Sequence, residues 1–333
     1  MGRVNENARR GRATTHTLLL SQRIGAETEE VLAERFPGLR IVRLPASGDV
    51  PEDARDATVL YRAGMPHEAL RTALIQLPHL DWIHTASAGF NWVLIPEVIA
   101  RPIRLTRTAR VLDVPIAEYV VGTTLALLKG LPSLLEAQRA RRWEREVDAR
   151  GLLGATVGVI GAGAIGSAVA TRFRPFGTKV IGMKRDPAPL AEFDEILAPG
   201  ELDRLLTDSD VVVVACPLTP ETRHLLGARE FALMRSHAVL VNIARGEVLV
   251  EAELVEALRE RRFAAAALDV FTEEPLAAAS PLWDLDNVIL TPHISYIDPT
   301  NSLRGVVEFA DNLERYLAGA PLLNEIKSRD LGY

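Results

Sequence analysis

The segment VGVIGAGAIG, residues 157–166, is the strongest indicator of the fold of this chain. A strand-like apolar run leads into Gly161, and a helical pattern starts at Ala164. Gly161 allows a tight turn, Gly163 lets the main chain approach a ligand, and Gly166 lets the helix lie close to the sheet. The start of that helix offers N–H groups and positive potential to a phosphate. The motif predicts that Gly161, Gly163, Ala164, Ile165 and Gly166 bind the pyrophosphate of a dinucleotide.

The pattern around this motif is a regular alternation of short apolar runs and helical stretches. The predicted strands are Thr156–Ile160, Thr178–Gly182, Val211–Ala215, Ala238–Asn242, Ala264–Val270 and Asn287–Leu290. The predicted helices are Ala164–Phe173, Glu201–Thr207, Ala228–Met234 and Glu251–Arg259. Strands that alternate with helices indicate a parallel sheet covered on both faces. This part of the chain is therefore predicted to be a Rossmann-like nucleotide domain.

A second alternation precedes it. Its predicted strands are Thr17–Leu20, Ile41–Leu44, Ala57–Tyr61 and Asp81–Thr85, with helices at Ala26–Arg35 and His67–Gln76. A length of 333 residues also exceeds one ordinary core. We expect an α/β protein with two doubly wound parallel-sheet domains, the second of them flavodoxin-like. The nucleotide domain is predicted at 112–291, and the substrate domain at 13–111 and 292–333, so that two crossings make a hinged cleft.

A helical run from Pro115 is apolar on nearly every side. A helix of this kind has to be buried. The sequence leaves open whether a domain boundary or a subunit interface covers it.

Composition excludes several classes of protein. The net charge of −6 argues against a nucleic-acid partner, which would need a basic face. Cys216 is the single cysteine, so an internal disulfide and a cysteine-rich zinc site are impossible. We predict no metal site. Met1–Thr15 lacks the apolar run of a signal peptide and reads as a disordered basic tail. No apolar segment is long enough to cross a bilayer. We expect a cytoplasmic protein.

The residues after the second strand of the nucleotide domain should read the adenosine ribose. An acid at this position accepts a hydrogen bond from the 2′-hydroxyl of NAD, about twenty residues after the motif. Here Lys184 and Arg185 stand at that spacing. Two cations attract a 2′-phosphate, which favours NADP over NAD. The alternative is that both are solvated charges and that Asp186 reads the ribose.

Three downstream segments place chemistry at predicted strand ends. They are VNIARG (241–246), ALDVFTEEPL (267–276) and LTPH (290–293). In open α/β sheets the ligand crevice lies at the carboxyl ends of the strands. Arg245, Asp269 and His293 all fall there. Each residue alone has an ordinary structural explanation, such as a surface ion pair or a loop hydrogen bond. Their combination after a glycine motif favours one active site.

Together these motifs resemble those of the D-isomer-specific 2-hydroxyacid dehydrogenase family. The resemblance covers roughly residues 84–326. Three further segments add to it: Ala-Glu-Tyr at 117–119, CPLTPET at 216–222, and Asn312-Leu-x-x-Tyr316-x-x-Gly319. It implies D-specific hydride transfer between NAD(P)H and a small 2-keto or 2-hydroxy acid of the glyoxylate, hydroxypyruvate or a similar type, and larger 2-keto acids stay open.

The resemblance also implies roles for individual residues. Arg245 would grip the substrate carboxylate and 2-oxygen with its planar, permanently charged fork. His293 would be the acid in reduction and the base in oxidation, because an imidazole ordinarily titrates at about pH 6.5. Glu274 would hydrogen-bond His293, orient it and favour its charged form. Asp269 would contact the nicotinamide end.

Other implied positions supply binding. The main-chain N–H groups of Ala88 and Gly89 would hold the substrate carboxylate from the other domain. The implied cofactor-binding residues further include Cys216, Pro217, Thr222, Ile243 and Ala244.

The family further implies a homodimer, in which Trp143 could reach a neighbouring subunit's site. Two alternatives stay open. Phosphite dehydrogenases keep a similar triad, and non-enzymatic NAD(H)-sensing regulators share the fold. Formate enzymes fit poorly, because they place an amide where Glu274 stands.

Overall fold

The computed structural model describes residues 16–87, 89–90 and 93–326. The predicted basic tail, Met1–Thr15, lies outside the described residues, as do Ala88 and Trp92.

The described residues form twelve strands, all short and mostly buried. They are β1 (Thr17–Leu20), β2 (Arg40–Arg43), β3 (Val59–Arg62), β4 (Trp82–Thr85), β5 (Arg104–Arg107), β6 (Thr156–Ile160), β7 (Lys179–Met183), β8 (Glu195–Leu197), β9 (Val211–Val214), β10 (Val239–Asn242), β11 (Ala265–Leu268) and β12 (Val288–Leu290).

Helices connect these strands. They are α1 (Ala26–Arg35), α2 (His67–Gln76), α3 (Pro96–Ile99), α4 (Asp113–Leu128), α5 (Leu131–Arg139), α6 (Ala164–Phe173), α7 (Leu202–Asp208), α8 (Ala228–Leu233), α9 (Glu251–Arg259) and α10 (Asn301–Leu317).

The strands make two parallel sheets, each in its own compact unit. The first sheet has the order β2-β1-β3-β4-β5, which is the flavodoxin-like order. The second has the order β12-β11-β10-β9-β6-β7-β8. With β6 as the first strand, β8-β7-β6-β9-β10-β11 is the Rossmann order. The predicted fold class is therefore confirmed. We call the two bodies the five-stranded unit and the seven-stranded unit.

The five-stranded unit holds the described part of Met1–Thr108 together with Ser302–Ile326, and the seven-stranded unit holds Ala109–Asn301. The chain thus changes unit after residues 108 and 301, whereas the sequence-based crossings follow residues 111 and 291. Residues 292–301 belong to the seven-stranded unit because Asp269 accepts hydrogen bonds from the N–H groups of Ile294 (2.8 Å) and Ser295 (2.9 Å). The functional domain boundaries stay a prediction.

The seven-stranded sheet is apolar on both faces at its centre. The four valines of β9 are all buried, as expected for a strand covered by helices on each side.

α4 packs against α6 within this unit. α4 starts at Asp113, so Pro115 is its third residue and not its first. A proline is still tolerated there, because the first N–H groups of a helix have no acceptor inside it.

The sequence did not predict β5 or β8. Both lie at a sheet edge, and both are short and rich in charge or partly exposed. Edge strands pair on one side only, so their sequences lack the apolar run of a central strand.

No single helix in the described ranges is both long and apolar enough to cross a membrane. Only α4 and α5 taken together pass that test of length and composition, and they are bent by 66°.

The core of the five-stranded unit contains a histidine, His84, which is fully buried on β4. Its Nδ1 lies 2.7 Å from Oγ1 of Thr106, and its Nε2 lies 3.2 Å from Oγ1 of Thr108. Its ring stands edge-on to Tyr61, with centroids 5.1 Å apart. Neutral partners surround it, and burial lowers the pKa of His84 to about 3.

This burial predicts acid lability of the fold. In the unfolded chain the imidazole of His84 is protonated below about pH 6.5, whereas in the folded protein it stays neutral down to about pH 3. The free energy of unfolding therefore rises with pH between these two values. The contribution approaches about 1.4 kcal/mol per pH unit. We expect His84→Gln to flatten the pH dependence of the unfolding free energy between about pH 4.5 and 6.5 by close to one proton. Denaturant titrations at several pH values measure this.

The exposed His79, in the loop between α2 and β4, gives the control. His79→Gln should keep the wild-type slope. An unchanged slope in His84→Gln would show that His84 does not set the acid lability.

Candidate active site

The glycine turn after β6 presses against the end of β9. Gly161 has a φ of 107°, and a Cβ built on it would lie 2.6 Å from the main-chain nitrogen of Cys216. A Cβ on Gly166 would lie 2.2 Å from the carbonyl oxygen of Gly161, so this glycine lets α6 sit close to the turn. A Cβ built on Gly163 would have no heavy atom within 4 Å apart from its own chain neighbours and helix backbone. Two glycines are thus required by packing, and the third faces open space.

That open space adjoins the N-terminus of α6. Gly163 is the N-cap residue and makes no side-chain cap. The N–H groups of Ala164, Ile165 and Gly166 open the helix and have no acceptor inside it. A pyrophosphate fits this position, because the space is free, the donors point outward and the helix dipole is favourable.

The end of β7 is tied to the same turn. The N–H groups of Gly161 and Ala162 both donate to the carbonyl oxygen of Met183 over 2.9 Å. β7 ends at Met183, one residue later than predicted, and Lys184 and Arg185 follow directly. Lys184 is half-buried and Arg185 is exposed. Both cations therefore stand at the strand end beside the glycine turn.

The loop after β9 carries a negative charge, Glu221, that interacts with Arg185. A hydrogen bond from Thr219 lowers the pKa of Glu221, and the positive charge of Arg185 lowers it further. Cys216 is buried, which raises the pKa of its thiol to about 12. The hydroxyl of Thr222 donates to the oxygen of Pro217 (2.6 Å) and accepts from the N–H of Thr219 (2.8 Å). Thr222 thus shapes the loop, and Pro217 is exposed.

A buried asparagine braces the turn that carries Arg245. Asn242, the last residue of β10, accepts from the N–H of Ala244 and donates to the oxygen of Arg245, each over 3.0 Å. Ile243 and Ala244 are buried. A Cβ on Gly246 would lie 1.9 Å from the main-chain carbon of Phe271, so only glycine lets the two segments meet.

The Arg245 side chain is half-buried, and its Nη1 donates to the oxygen of Ala244 over 2.6 Å. Burial lowers the pKa of Arg245, and the negative charges of Glu274 and Glu247 oppose that shift. The guanidinium stays charged. Its fork is thus partly shielded from water and close to a carboxylate.

Glu274 holds His293 from one side. Oε2 of Glu274 lies 2.8 Å from Nδ1 of His293, and Oε1 accepts from the N–H of Phe271 over 3.1 Å. A carboxylate oxygen only accepts, so Nδ1 carries the proton of this pair. Nε2 is then the ring nitrogen that can exchange a proton with another molecule.

His293 also has an unusual main-chain conformation, with φ at 55°. This left-handed region is uncommon for residues other than glycine, although Asn, Asp and His adopt it more readily. The surrounding bonds must therefore hold the loop in place.

Asp269 supplies that support. It is fully buried, and its carboxylate accepts from the hydroxyl of Thr291 (2.6 Å) and from the N–H groups of Ile294 and Ser295. The Tyr119 hydroxyl in turn lies 2.7 Å from Oγ1 of Thr291. Thr291 already donates to Asp269, so Tyr119 donates to Thr291. The carboxylate thus fixes the loop on both sides of His293, and its predicted contact with nicotinamide stays a prediction.

The predicted substrate-binding segment belongs to the five-stranded unit. Gly89 is half-buried, and its carbonyl oxygen accepts from the hydroxyl of Ser87 over 2.6 Å. Ala88 lies outside the described residues. Trp143 belongs to the seven-stranded unit and is 92% exposed.

Three functional candidates escaped the sequence analysis. Asn242 carried a signal, since it is a polar residue at the end of an apolar strand. Thr291 and Tyr119 lie in quoted motifs, but nothing in the sequence connects residues 172 positions apart.

Comparison with known proteins points in one direction. A family model described as "D-isomer specific 2-hydroxyacid dehydrogenase, NAD binding domain" matches residues 121–295. The chain is 31% identical over 303 residues to a glyoxylate/hydroxypyruvate reductase of Arabidopsis thaliana, covering 90% of this chain and 95% of that protein. It is 37% identical over 230 residues to a glyoxylate reductase of Thermofilum pendens, covering 66% of each.

Among solved structures, a D-isomer specific 2-hydroxyacid dehydrogenase of Xanthobacter autotrophicus Py2, crystallised with NADPH and MES, superposes with a TM-score of 0.83. The identity is 30%, over 95% of this chain and 99% of that chain.

Proposed function

The chain belongs to the D-isomer-specific 2-hydroxyacid dehydrogenase family, and we propose that it reduces small 2-keto acids to D-2-hydroxy acids with NADPH. The observation that carries this proposal is the hydrogen bond between Glu274 and His293, with Arg245 near the same carboxylate. Together they offer a proton donor and a fork for two oxygens. The named relatives are keto-acid reductases and 2-hydroxyacid dehydrogenases. That favours this activity over phosphite oxidation and over a regulatory role.

The chain's own residues have separate tasks in this reaction. Arg245 would bind the substrate carboxylate and 2-oxygen and would stabilise negative charge that develops on that oxygen. Nε2 of His293 would deliver the proton to the 2-oxygen, while Glu274 keeps the ring oriented and stabilises the charged imidazole. A bound reduced nicotinamide supplies the hydride. The N–H groups of Ala88 and Gly89 would also bind the substrate carboxylate.

The cofactor would lie along the ends of β6, β7, β9 and β10. Gly163 and the start of α6 would receive the pyrophosphate. Lys184 and Arg185 would receive the 2′-phosphate, and the Cys216–Thr222 loop would line the opposite side. Asn242 would position Ile243 and Ala244.

A panel of glyoxylate, hydroxypyruvate and larger 2-keto acids, assayed separately with NADPH and NADH, tests the proposal. Turnover with NADPH supports it. Tight dinucleotide binding without turnover of any keto acid would favour the regulator.

Cofactor preference should depend on Lys184 and Arg185. Charge-assisted hydrogen bonds contribute about 1.5–3 kcal/mol each, so each cation should favour NADPH by roughly ten- to hundredfold. We expect a lower KM for NADPH than for NADH. Replacing both cations by alanine should remove most of the preference, and Lys184→Asp should turn it toward NADH.

Lys179, at the opposite end of β7, provides the control, because it is exposed and lies 3.8 Å from Glu195. Lys179→Ala should keep the NADPH preference. A wild-type preference for NADH that the double variant leaves unaltered would instead assign the ribose to Asp186.

Tyr119 should act as a positioning residue. Burial raises its pKa to about 12, so it stays a hydrogen-bond donor at working pH. Tyr119→Phe removes a bond worth about 1 kcal/mol, so we expect kcat to fall roughly fivefold with KM for NADPH unchanged.

Among the described residues, the hydroxyl of Thr123 bonds to main-chain oxygens of α4 alone, so Thr123→Val is the matched control. If Tyr119→Phe and the wild-type protein had the same kcat, Tyr119 would not be a positioning residue for the His293 loop.

We also propose a homodimer in the cytoplasm. The exposed Trp143 and the 87% exposure of Leu153 favour a second copy covering this part of the seven-stranded unit. Light scattering measures the mass directly.

A further inference from the structure

Two arginines that have no acidic partner among the described residues lie at the carboxyl ends of β1 and β3. In the order β2-β1-β3, the strand that follows β1 in the chain lies on one side of β1 and the next strand lies on its other side. In doubly wound sheets such a switch point forms the ligand crevice. Nothing in the roles proposed above uses this position of the five-stranded unit.

The first arginine is Arg62, the last residue of β3. It is only 4% exposed. Its Nη2 donates to the oxygen of Met65 over 2.6 Å, and its Nε is buried and finds no hydrogen-bond partner in the described part of the chain. Burial lowers the pKa of Arg62 to about 10, and no charged group offsets that effect. The guanidinium is therefore charged at neutral pH and uncompensated, a costly arrangement that an anion would relieve.

The second arginine is Arg23, in the loop after β1. A Cβ built on Gly64 would lie 2.5 Å from Cδ and 2.9 Å from Nη1 of Arg23, so its side chain runs directly over the turn that follows Arg62. Gly64 has a φ of 55°, which favours glycine. Within the described ranges, no acid is ion-paired with Arg23. The nearby Glu29 is paired with Arg43.

The loop that carries Arg23 is held in place. Nη1 of Arg43 donates to the carbonyl oxygens of Gln22 (3.1 Å) and Ile24. Both cations thus converge on one turn, residues 63–65, from a buried strand end and from a braced loop, and neither forms an ion pair within the described ranges.

This turn is next to the segment expected to bind the substrate carboxylate. Arg62 is in register with Thr85 of β4, and the N–H of Ala86 donates to the oxygen of Arg62 over 2.8 Å. The chain continues to Gly89. Adjacent strands lie about 4.8 Å apart, so a molecule of three or four carbons can reach both positions.

We propose that Arg62 and Arg23 form an anion site for a second charged group of the substrate, and that the preferred substrates are 2-keto acids with a carboxylate or phosphate at the far end. The inference rests on the proposed function.

Matched substrate pairs test it. Hydroxypyruvate and its 3-phosphate differ only by the phosphate, and 2-oxobutanoate and oxaloacetate differ by a methyl group in place of a carboxylate. Because a charge-assisted hydrogen bond is worth about 1.5–3 kcal/mol, wild type should prefer the anionic member by roughly tenfold or more in kcat/KM. The larger preference identifies the source of the anion, phosphate or carboxylate.

The variants separate recognition from structure. Arg62→Met and the exposed Arg23→Met should each lower kcat/KM for the anionic member by roughly tenfold and leave its neutral partner nearly unchanged. Arg71→Met, which removes an ion pair with Glu97 in the same unit, is the control and should keep the wild-type preference. Equal losses for both members in Arg62→Met, with no effect in Arg23→Met, would overturn the anion site and make Arg62 a structural residue.

The outcome also distinguishes this inference from the proposed function. Reduction of neutral keto acids without any anionic preference rejects the site and keeps the function. If no keto acid is reduced, calorimetric titration with inorganic phosphate decides. Phosphate binding that is lost in Arg62→Met would support the anion site. No phosphate binding by the wild-type protein would reject it.

Discussion

Replacement of Arg245 by alanine should lower kcat/KM for 2-keto acid reduction by about a thousandfold, because one side chain both grips the carboxylate and stabilises charge on the 2-oxygen. The guanidinium is half-buried, so its charge acts in a less polar medium than water. NADPH affinity should change little, since Arg245 lies at the end of β10 and the glycine turn lies after β6. Steady-state kinetics and a fluorescence titration with NADPH measure the two effects.

Arg245→Lys should also fail, with a loss of at least about a hundredfold, because an ammonium group cannot donate two parallel hydrogen bonds. Arg229→Ala is the control. Arg229 is exposed in the same unit and paired with Asp203, and loss of such a surface pair has little effect. Near-normal turnover by the lysine variant would remove Arg245 from substrate binding.

His293→Asn should lower kcat by roughly a hundred- to ten-thousandfold, the range expected when a general acid is lost. Asparagine is the informative replacement because it tolerates a φ of 55° better than alanine does. The loop held by Asp269 should thus survive, and NADPH binding with it. A loss that appears in kcat, with an intact thermal transition, separates lost chemistry from a disturbed fold.

His224 is a matched control within the same unit. It too is a histidine with positive φ, 56°, and it is exposed. His224→Asn should retain full activity. If His293→Asn retained activity as well, another group would have to deliver the proton, and the bond between Glu274 and His293 would be structural.

Much of the fold could be predicted because its signals are local. The glycine motif needs a turn, a close approach and a helix start within ten residues, and each requirement selects glycine directly. The central strands β6, β9 and β10 are buried on both faces, so their sequences are continuous apolar runs. The edge strands β5 and β8 left no such signal.

The candidate site divides in the same way. Arg245, Glu274 and His293 could be proposed from motifs at strand ends, because the carboxyl ends of parallel strands share one edge of a sheet. The sequence was thus sufficient to predict two α/β domains, the glycine turn and the candidate catalytic residues.

The contacts that hold those residues, and the charges that have no acidic partner in the described ranges, become visible in the folded chain. Asp269 supports the His293 loop by accepting a hydrogen bond from Thr291, and folding brings Tyr119, 172 residues away, against the same threonine. Arg62 looks like an ordinary strand-end charge in the sequence, and packing buries it with no hydrogen-bond partner for its Nε in the described ranges. Hydrogen-bond partners and burial arise from contacts between distant segments, and the period of apolar residues along one segment does not encode them.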